Sequence, residues 1–260
     1  MQSIIHPKPT LKESVFKALW LASGRRNALD TLFTTLLKHR KCLTELDARK
    51  TIPRFDETQV CLSRCPVGAW STPIIDVYVI IKAVLGFESK RILELGSYRG
   101  DTARLIAENT ADDTRLCTVD VHPEHGASYK NSPVARRIER KIGEIRRELF
   151  TPEERYDFIF VDANHDFNSV ANDTLVALDL LSDHGVIFWH DYSFGGYFHG
   201  MAGVPDALKI FSKDLAICAV LGTNLAFHSR HPGWETKRLI GKHQGPDKPS
   251  DVWQETTVRG

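Results

Sequence analysis

Apolar positions change their spacing near residue 91, and this change divides the chain into two parts. Before it, apolar residues recur every three to four positions, which is typical of amphipathic helices. The spacing predicts one helix that begins at the capping-box pair Thr10 and Glu13, and a second helix over about residues 27–46. The apolar run 74–85 predicts a further helix that leads into the first strand. We expect the first two helices to cover a binding site or to pair two subunits.

From residue 91 onward, short apolar runs alternate with helical stretches. Helices are predicted at 101–109 and 169–181, and the last two strands are predicted to form an antiparallel hairpin at the end of the sheet. Strands that alternate with helices of this length indicate an α/β fold, with a mostly parallel seven-stranded sheet and helices on both faces. The seven runs that predict strands are 91–95, 116–121, 140–142, 156–161, 185–189, 216–220 and 225–229.

This reading predicts three regions along the chain. Residues 1–66 form an N-terminal helical cap or dimerisation region, and residues 67–230 form the α/β domain. Residues 231–260 are rich in Pro, Gly, Lys and Asp, so we expect a C-terminal tail with little to bury.

Composition narrows the classes of partner. The 260 residues are 42% hydrophobic and 26% charged, as in a soluble globular protein, and the net charge is +1 without a basic stripe. Nucleic acid is therefore not an expected partner, and a small molecule is. No apolar run reaches the ~18 residues of a membrane span, and five cysteines show no disulfide spacing, so we expect a cytoplasmic protein without a membrane partner.

The segment after the first predicted strand carries the most specific motif. It reads Glu94-Leu-Gly96-Ser-Tyr-Arg-Gly100-Asp-Thr102 and opens a helix. Glycines let the backbone turn sharply, and the helix N-terminus offers free N–H groups to a ligand. A dinucleotide motif needs Gly-x-Gly-x-x-Gly, but its second and third glycines fall on Tyr98 and Asp101 here, which disfavours a nucleotide-dependent oxidoreductase.

The acidic-x-Gly-x-x-x-Gly spacing instead resembles motif I of the class I methyltransferases, which have a Rossmann-like fold and bind S-adenosylmethionine (SAM). The resemblance implies that Glu94 holds the methionine amino group and that Asp120, at the end of the second strand, accepts the ribose hydroxyls. A turn residue is the other interpretation of Asp120. The cofactor-binding residues that the resemblance implies are Glu94, Gly96, Ser97, Gly100, Thr102, Asp120, Gly143, Glu144 and Asp162.

Polar residues follow the fourth and fifth predicted strands, in Val161-Asp-Ala-Asn-His165 and Trp189-His-Asp-Tyr192. The carboxyl ends of neighbouring parallel strands meet at one edge of the sheet, so these side chains are expected to converge. We expect the segment Trp70-Ser-Thr72 to approach the cofactor, and the loop 193–205 to line the substrate pocket together with the N-terminal helices.

These segments resemble those of small-molecule O-methyltransferases. They are similar to the macrocin and mycinamicin sugar enzymes and to cephalosporin-hydroxylase-like proteins, and more distantly to catechol-type enzymes. The resemblance implies a transfer to a hydroxyl of a metabolite, with His165 as general base, His190 as a second catalytic residue, and Asp162, His190 and Asp191 as metal ligands. The sugar enzymes have a carboxylate at the position of His190. The choice between Mg²⁺ and Mn²⁺, and the need for a metal, stay open because imidazole is a poor Mg²⁺ ligand.

Two function classes follow from the sequence. The first is a SAM-dependent O-methyltransferase that works as a homodimer. The alternative is a non-catalytic SAM-binding scaffold that acts through its N-terminal helices. Turnover with a hydroxylated acceptor separates the two.

Overall fold

The protein is described by a computed structural model that covers residues 43–65, 70–192 and 203–234. Within these ranges, eight strands form one sheet: β1 (Thr44–Leu46), β2 (Arg91–Leu95), β3 (Arg115–Asp120), β4 (Ile138–Ile142), β5 (Tyr156–Val161), β6 (Leu181–Trp189), β7 (Ile217–Val220) and β8 (Ala226–Ser229). The α-helices of the described residues are α1 (Ala48–Thr51), α2 (Ile74–Gly86), α3 (Asp101–Asn109), α4 (Ala127–Lys130), α5 (Phe167–Leu180) and α6 (Gly203–Phe211).

The strand order is β1-β7-β8-β6-β5-β2-β3-β4. All neighbours are parallel except β8, which is antiparallel to both β6 and β7. The predicted α/β fold is confirmed, with a mostly parallel sheet and an antiparallel hairpin from β7 to β8. Each of the seven predicted strands is present, and β1 is an eighth.

Strand β1 corrects two predictions. Residues 44–46 do not end a helix, because they pair with β7 in parallel, with Thr44 opposite Cys218 and Leu46 opposite Val220. Leu46 is buried in the core, and the edge of β7 provides hydrogen-bonding groups that a helix would leave unpaired. The hairpin therefore does not lie at the end of the sheet, since β1 covers its outer edge.

The two faces of the sheet carry separate apolar clusters. Alternate strand residues point to opposite faces, so Ile92 belongs to one cluster and Leu93 to the other. Helices α2 and α3 pack on the first face, and α5 and α6 pack on the second. A sheet that is buried on both faces leaves its strand ends as the place where polar side chains reach solvent.

Helix α6 was not predicted, because its first residues fall within the expected loop 193–205. It packs against the start of α5, where a side chain at Gly203 would overlap the backbone of His165 and Phe167. Glycine therefore allows α6 to lie directly against the segment that carries His165.

Three predicted features lie outside the described residues in whole or part: the helices before residue 43, positions 193–202 of the loop, and the tail from residue 235. Trp234 is buried and donates a hydrogen bond from Nε1 to the carbonyl of Ala216 at 2.7 Å, so the packing of the domain continues past residue 230. The regional boundaries at residues 66 and 230 stay predictions. In the described ranges, no helix is long and apolar enough to cross a membrane.

Candidate active site

The central strands end in register. Leu95 of β2 pairs with Val161 of β5, and Val161 pairs with Trp189 of β6. The ladder continues one residue further, because the N–H of Asp162 donates to the carbonyl of Leu95 at 2.8 Å and the N–H of His190 donates to that of Val161 at 3.0 Å. The residues that follow the three strands therefore lie side by side.

A cavity of about 830 Å³ opens at these strand ends. This volume suits a small-molecule site. Trp70, Ser71 and Thr72, which precede α2, line the cavity as expected, and so does His165. The cavity also brings together every residue to which the sequence assigned cofactor binding: Glu94, Gly96, Ser97, Gly100, Thr102, Asp120, Gly143, Glu144 and Asp162.

The loop between β2 and α3 needs glycine at both of its ends. Gly96 has a φ of +100° and Gly100 a φ of +79°, which disfavour any residue with a Cβ. A side chain at Gly96 would overlap the carbonyl oxygen of Asp162, so the ends of β2 and β5 approach too closely for another residue. Tyr98 also has a positive φ, of +43°, at the position where the dinucleotide motif has a glycine.

Asp120 holds this loop in place. Its Oδ2 accepts the backbone N–H groups of Ser97 at 3.0 Å and Tyr98 at 2.9 Å, and it lies 2.8 Å from Nδ1 of His125. Its Oδ1 accepts the N–H of His122 at 2.9 Å. Burial raises the pKa of Asp120, but the hydrogen bonds from the His122 and Tyr98 backbone and the nearby His125 imidazole outweigh it, so the pKa is lowered. Asp120 is thus an ionised carboxylate that organises the loop and lines the cavity.

We expect Asp120→Ala to weaken binding of S-adenosylhomocysteine (SAH) by about 1–3 kcal/mol, because the loop N–H groups lose their acceptor. Titration calorimetry measures the affinity, and thermal unfolding measures the accompanying loss of stability. Asp113→Ala is the control, since Asp113 pairs with Lys90 at the surface, at 2.8 Å. Unchanged SAH affinity in the Asp120 variant would contradict the assignment.

Glu94 is a buried carboxyl that faces the cavity. It is 1% exposed, and its Oε2 has no hydrogen-bond partner among the described residues. Burial raises the pKa of Glu94 well above its usual range, and the charges of Asp162 and Asp120 raise it further. A buried carboxyl without a partner is costly, and a cationic ligand group at Oε2 removes that cost.

Three ligand-type side chains converge at the ends of β5 and β6. Nε2 of His165 lies 2.9 Å from Oδ2 of Asp191 and 3.5 Å from Oδ1 of Asp162, but it is aligned for a hydrogen bond to neither. One ligand atom from each of the three residues lies within 4.8 Å of the others. Asp191 has a φ of +57°, in the left-handed region that residues other than glycine adopt less often and that is found at functional sites.

The charges of this cluster depend on one another. Burial lowers the pKa of His165, but Asp162 and Asp191 outweigh it and raise the pKa to about 9. Burial raises the pKa of both aspartates, and the two histidines, His165 and His190, lower it to below the usual range. The two aspartates are therefore anionic, as metal ligands must be.

His190 lies between two sets of carboxylates. Its Nε2 lies 3.1 Å from Oδ2 of Asp76, and its Nδ1 lies 3.2 Å from Oδ1 of Asp162 and 3.5 Å from Oδ1 of Asp191. Both ring nitrogens thus face carboxylates. Burial lowers the pKa of His190, but the aspartates outweigh it and raise the pKa well above the usual range.

Sequence reasoning missed several residues of the site. Asp76 is a fully buried carboxylate inside the apolar run of α2, and an acidic residue in such a run was the available signal. Helix α5 also contributes polar residues to the cavity wall, and sequence reasoning singled out none of them. These α5 residues are Asn168, Ser169, Asn172 and Asp173.

Comparison with known proteins identifies the domain. Residues 93–192 match the family model described as a methyltransferase domain. Over this segment, which is less than half of the chain, the sequence is similar to a methyltransferase domain. The match spans the glycine loop, Asp120 and the cluster at the ends of β5 and β6. No curated protein matches the sequence significantly.

Solved structures support the same fold for the methyltransferase domain. The O-methyltransferase TomG from Streptomyces achromogenes, in complex with SAM, is 20% identical with a TM-score of 0.51, over 80% of this chain and 98% of its own. An O-methyltransferase from Bacillus cereus in complex with SAH is 16% identical with a TM-score of 0.51, over 84% and 99%. The SAH-bound methyltransferase PaMTH1 from Podospora anserina is 19% identical with a TM-score of 0.53, over 86% and 98%.

Proposed function

We propose that this protein transfers a methyl group from SAM to a hydroxyl oxygen of a small-molecule metabolite. The convergence of Asp162, His165 and Asp191 beside the glycine loop carries the proposal, because it puts groups that can activate a hydroxyl next to the cofactor cavity. The similar structures favour oxygen as the acceptor atom, since TomG and the Bacillus cereus protein are O-methyltransferases.

The residues that line the cavity on either side of the glycine loop match the chemical groups of SAM. The unpartnered Oε2 of Glu94 would accept the methionine ammonium group, which removes the cost of the buried carboxyl. Gly96 and Gly100 keep the loop free of Cβ atoms, and Asp120 would accept a ribose hydroxyl in addition to the loop N–H groups. Gly143 and Glu144 line the cavity after β4, where we propose that adenine binds.

We further propose that Asp162, His165 and Asp191 bind a divalent cation. Two carboxylates and one imidazole fit Mn²⁺ better than Mg²⁺, because Mg²⁺ prefers oxygen ligands alone. A bound cation would supply a Lewis acid that lowers the pKa of the acceptor hydroxyl. In this proposal His165 replaces His190 as the imidazole ligand, because His165 lines the cavity and its ligand atom lies within 4.8 Å of those of Asp162 and Asp191.

The other role for His165 is that of general base, which the sequence resemblance implied. His165 lines the cavity, and in its neutral form it would take the proton of the hydroxyl as the methyl group is transferred. Because the two aspartates raise the pKa of His165 to about 9, a base role requires that His165 first lose its own proton, so turnover by this route is expected to rise with pH toward 9. Nε2 of His165 cannot be a metal ligand and a general base at the same time. The lone pair of this nitrogen either binds the metal or accepts a proton.

The proposal is tested with purified protein in two steps. We expect SAH to be retained or to bind by calorimetry, and methyl transfer from labelled SAM in a screen of hydroxylated acceptors. SAH binding without turnover on any acceptor would favour the non-catalytic scaffold. Saturable NAD binding without SAH binding would overturn the cofactor assignment.

We expect EDTA to inhibit turnover and added Mn²⁺ to restore it, because the aspartates of the cluster would lose their cation. Asp191→Asn is expected to reproduce the inhibition in the absence of EDTA. Initial rates with and without chelator measure both effects. EDTA-insensitive turnover, together with an Asp191→Asn variant that loses stability but keeps its rate, would show that the cluster works without a metal.

A further inference from the structure

Asp76 is a buried carboxylate that the proposed function has not used. It lies in the first turn of α2 and is 0% exposed. A buried carboxylate is stable only when donors surround it. Its Oδ1 accepts the backbone N–H of Asn224 at 3.1 Å, and its Oδ2 accepts Nδ2 of Asn224 at 3.1 Å and faces Nε2 of His190 at 3.1 Å.

His190 connects Asp76 to the metal-type cluster. Nε2 of His190 and Oδ2 of Asp76 lie within hydrogen-bond distance, and we assign the shared hydrogen to the ring nitrogen, because Oδ2 already accepts a hydrogen bond from Asn224. This bond fixes the plane of the ring and directs Nδ1 toward Oδ1 of Asp162, at 3.2 Å. Oδ2 of Asp162 is held from its other side by the hydroxyl of Thr72, at 3.4 Å.

We propose that Asp76 is a positioning residue that acts through His190 on the carboxylate of Asp162. The inference rests on the proposed function, because Asp162 needs an exact orientation only if it binds a cation or the acceptor. Hydrogen-bonded partners of ligand carboxylates orient them and tune metal affinity. The two Asn224 donors tie α2 to the β7–β8 turn, whereas the His190 contact leads to the site.

Because Asp76 contacts Asn224 and His190 separately, a variant of Asn224 provides a matched control for a variant of Asp76. Asn224→Ala removes the side-chain donor that ties Asp76 to the turn and leaves the His190 contact intact. Asp76→Asn keeps the size of the side chain but puts an amide donor against either Asn224 or His190. A purely structural role predicts that both variants lose stability and that neither changes the site specifically.

The first measurement is NMR on the full chain with ¹⁵N-labelled histidine. We expect His190, assigned by the loss of its signals in His190→Gln, to carry a hydrogen on Nε2 that exchanges slowly with solvent. We expect this signal to persist in Asn224→Ala and to shift in Asp76→Asn. A wild-type His190 without a hydrogen on Nε2 would overturn the inference, and this measurement requires neither metal nor methyl transfer.

The second measurement is titration with Mn²⁺ alone. We expect Asp76→Asn to lower Mn²⁺ affinity by about 10–100-fold, as removal of such orienting partners does in other metal sites, and Asn224→Ala to leave it near the wild-type value. A folded Asp76→Asn variant with wild-type affinity, or an equal loss in both variants, would overturn the role of Asp76. A wild-type chain that binds no Mn²⁺ would count against the proposed metal site, and the NMR result would then decide the Asp76–His190 link.

Discussion

Replacement of His165 by alanine is expected to lower turnover by about 10²–10⁴-fold and to leave SAH affinity nearly unchanged. His165 contacts Asp162 and Asp191 at the strand ends, whereas Glu94 and the glycine loop form the part of the cavity assigned to SAH. Turnover is measured with an acceptor from the screen, and SAH affinity is measured by calorimetry. His184→Ala is the control, since His184 is exposed and lies outside the cavity.

The same variant separates the two roles of His165. If His165 is a metal ligand, the alanine variant loses Mn²⁺ binding together with turnover. If it is a free general base, the variant keeps Mn²⁺ affinity and loses turnover alone. A His165→Ala enzyme that works at the full wild-type rate would exclude both roles.

A valine at Gly96 is expected to abolish SAH binding. The Cβ of any side chain there would overlap the carbonyl oxygen of Asp162, and the φ of +100° adds strain for a β-branched residue. The collision is with the chain itself and would separate the ends of β2 and β5. Calorimetry with SAH measures the loss.

Gly222 provides the control for this variant. It has a similar positive φ of +78°, but an added Cβ would meet no atom within 4 Å. Gly222→Ala is therefore expected to cost stability through backbone strain, about 1 kcal/mol, and to bind SAH normally. Wild-type SAH affinity in Gly96→Val would contradict the close approach of the two strand ends.

The sequence predicted the sheet well because its strands are apolar and bounded by glycine or polar turns. The run 156–161 shows this pattern, and its predicted bounds match β5. Strand β1 could not be predicted, because three residues are too few to show alternation and its pairing with β7 joins positions more than 170 residues apart. Helix α6 was missed because Gly203 and Pro205 near its start are typical of a loop.

The sequence predicted which residues form the candidate site better than it predicted the contacts between them. The motif spacing located Glu94 and the glycine loop, and the strand ends located Asp162 and His165. The direction of the His190 ring depends on Asp76, which lies 114 positions earlier in the chain. A contact of this kind has no local signal, so the sequence did not predict that His190 lies between Asp76 and Asp162.

The lateral edges of the described sheet have a consequence for self-association. An edge strand with unpaired backbone groups can recruit the strand of another molecule, and proteins suppress this with short or charged edges. Here one edge is β1, which is only three residues long, and the other is β4, whose sequence includes Glu139, Arg140 and Lys141. Both edges thus resist growth of the sheet into a second copy, and the predicted homodimer would have to form through another surface.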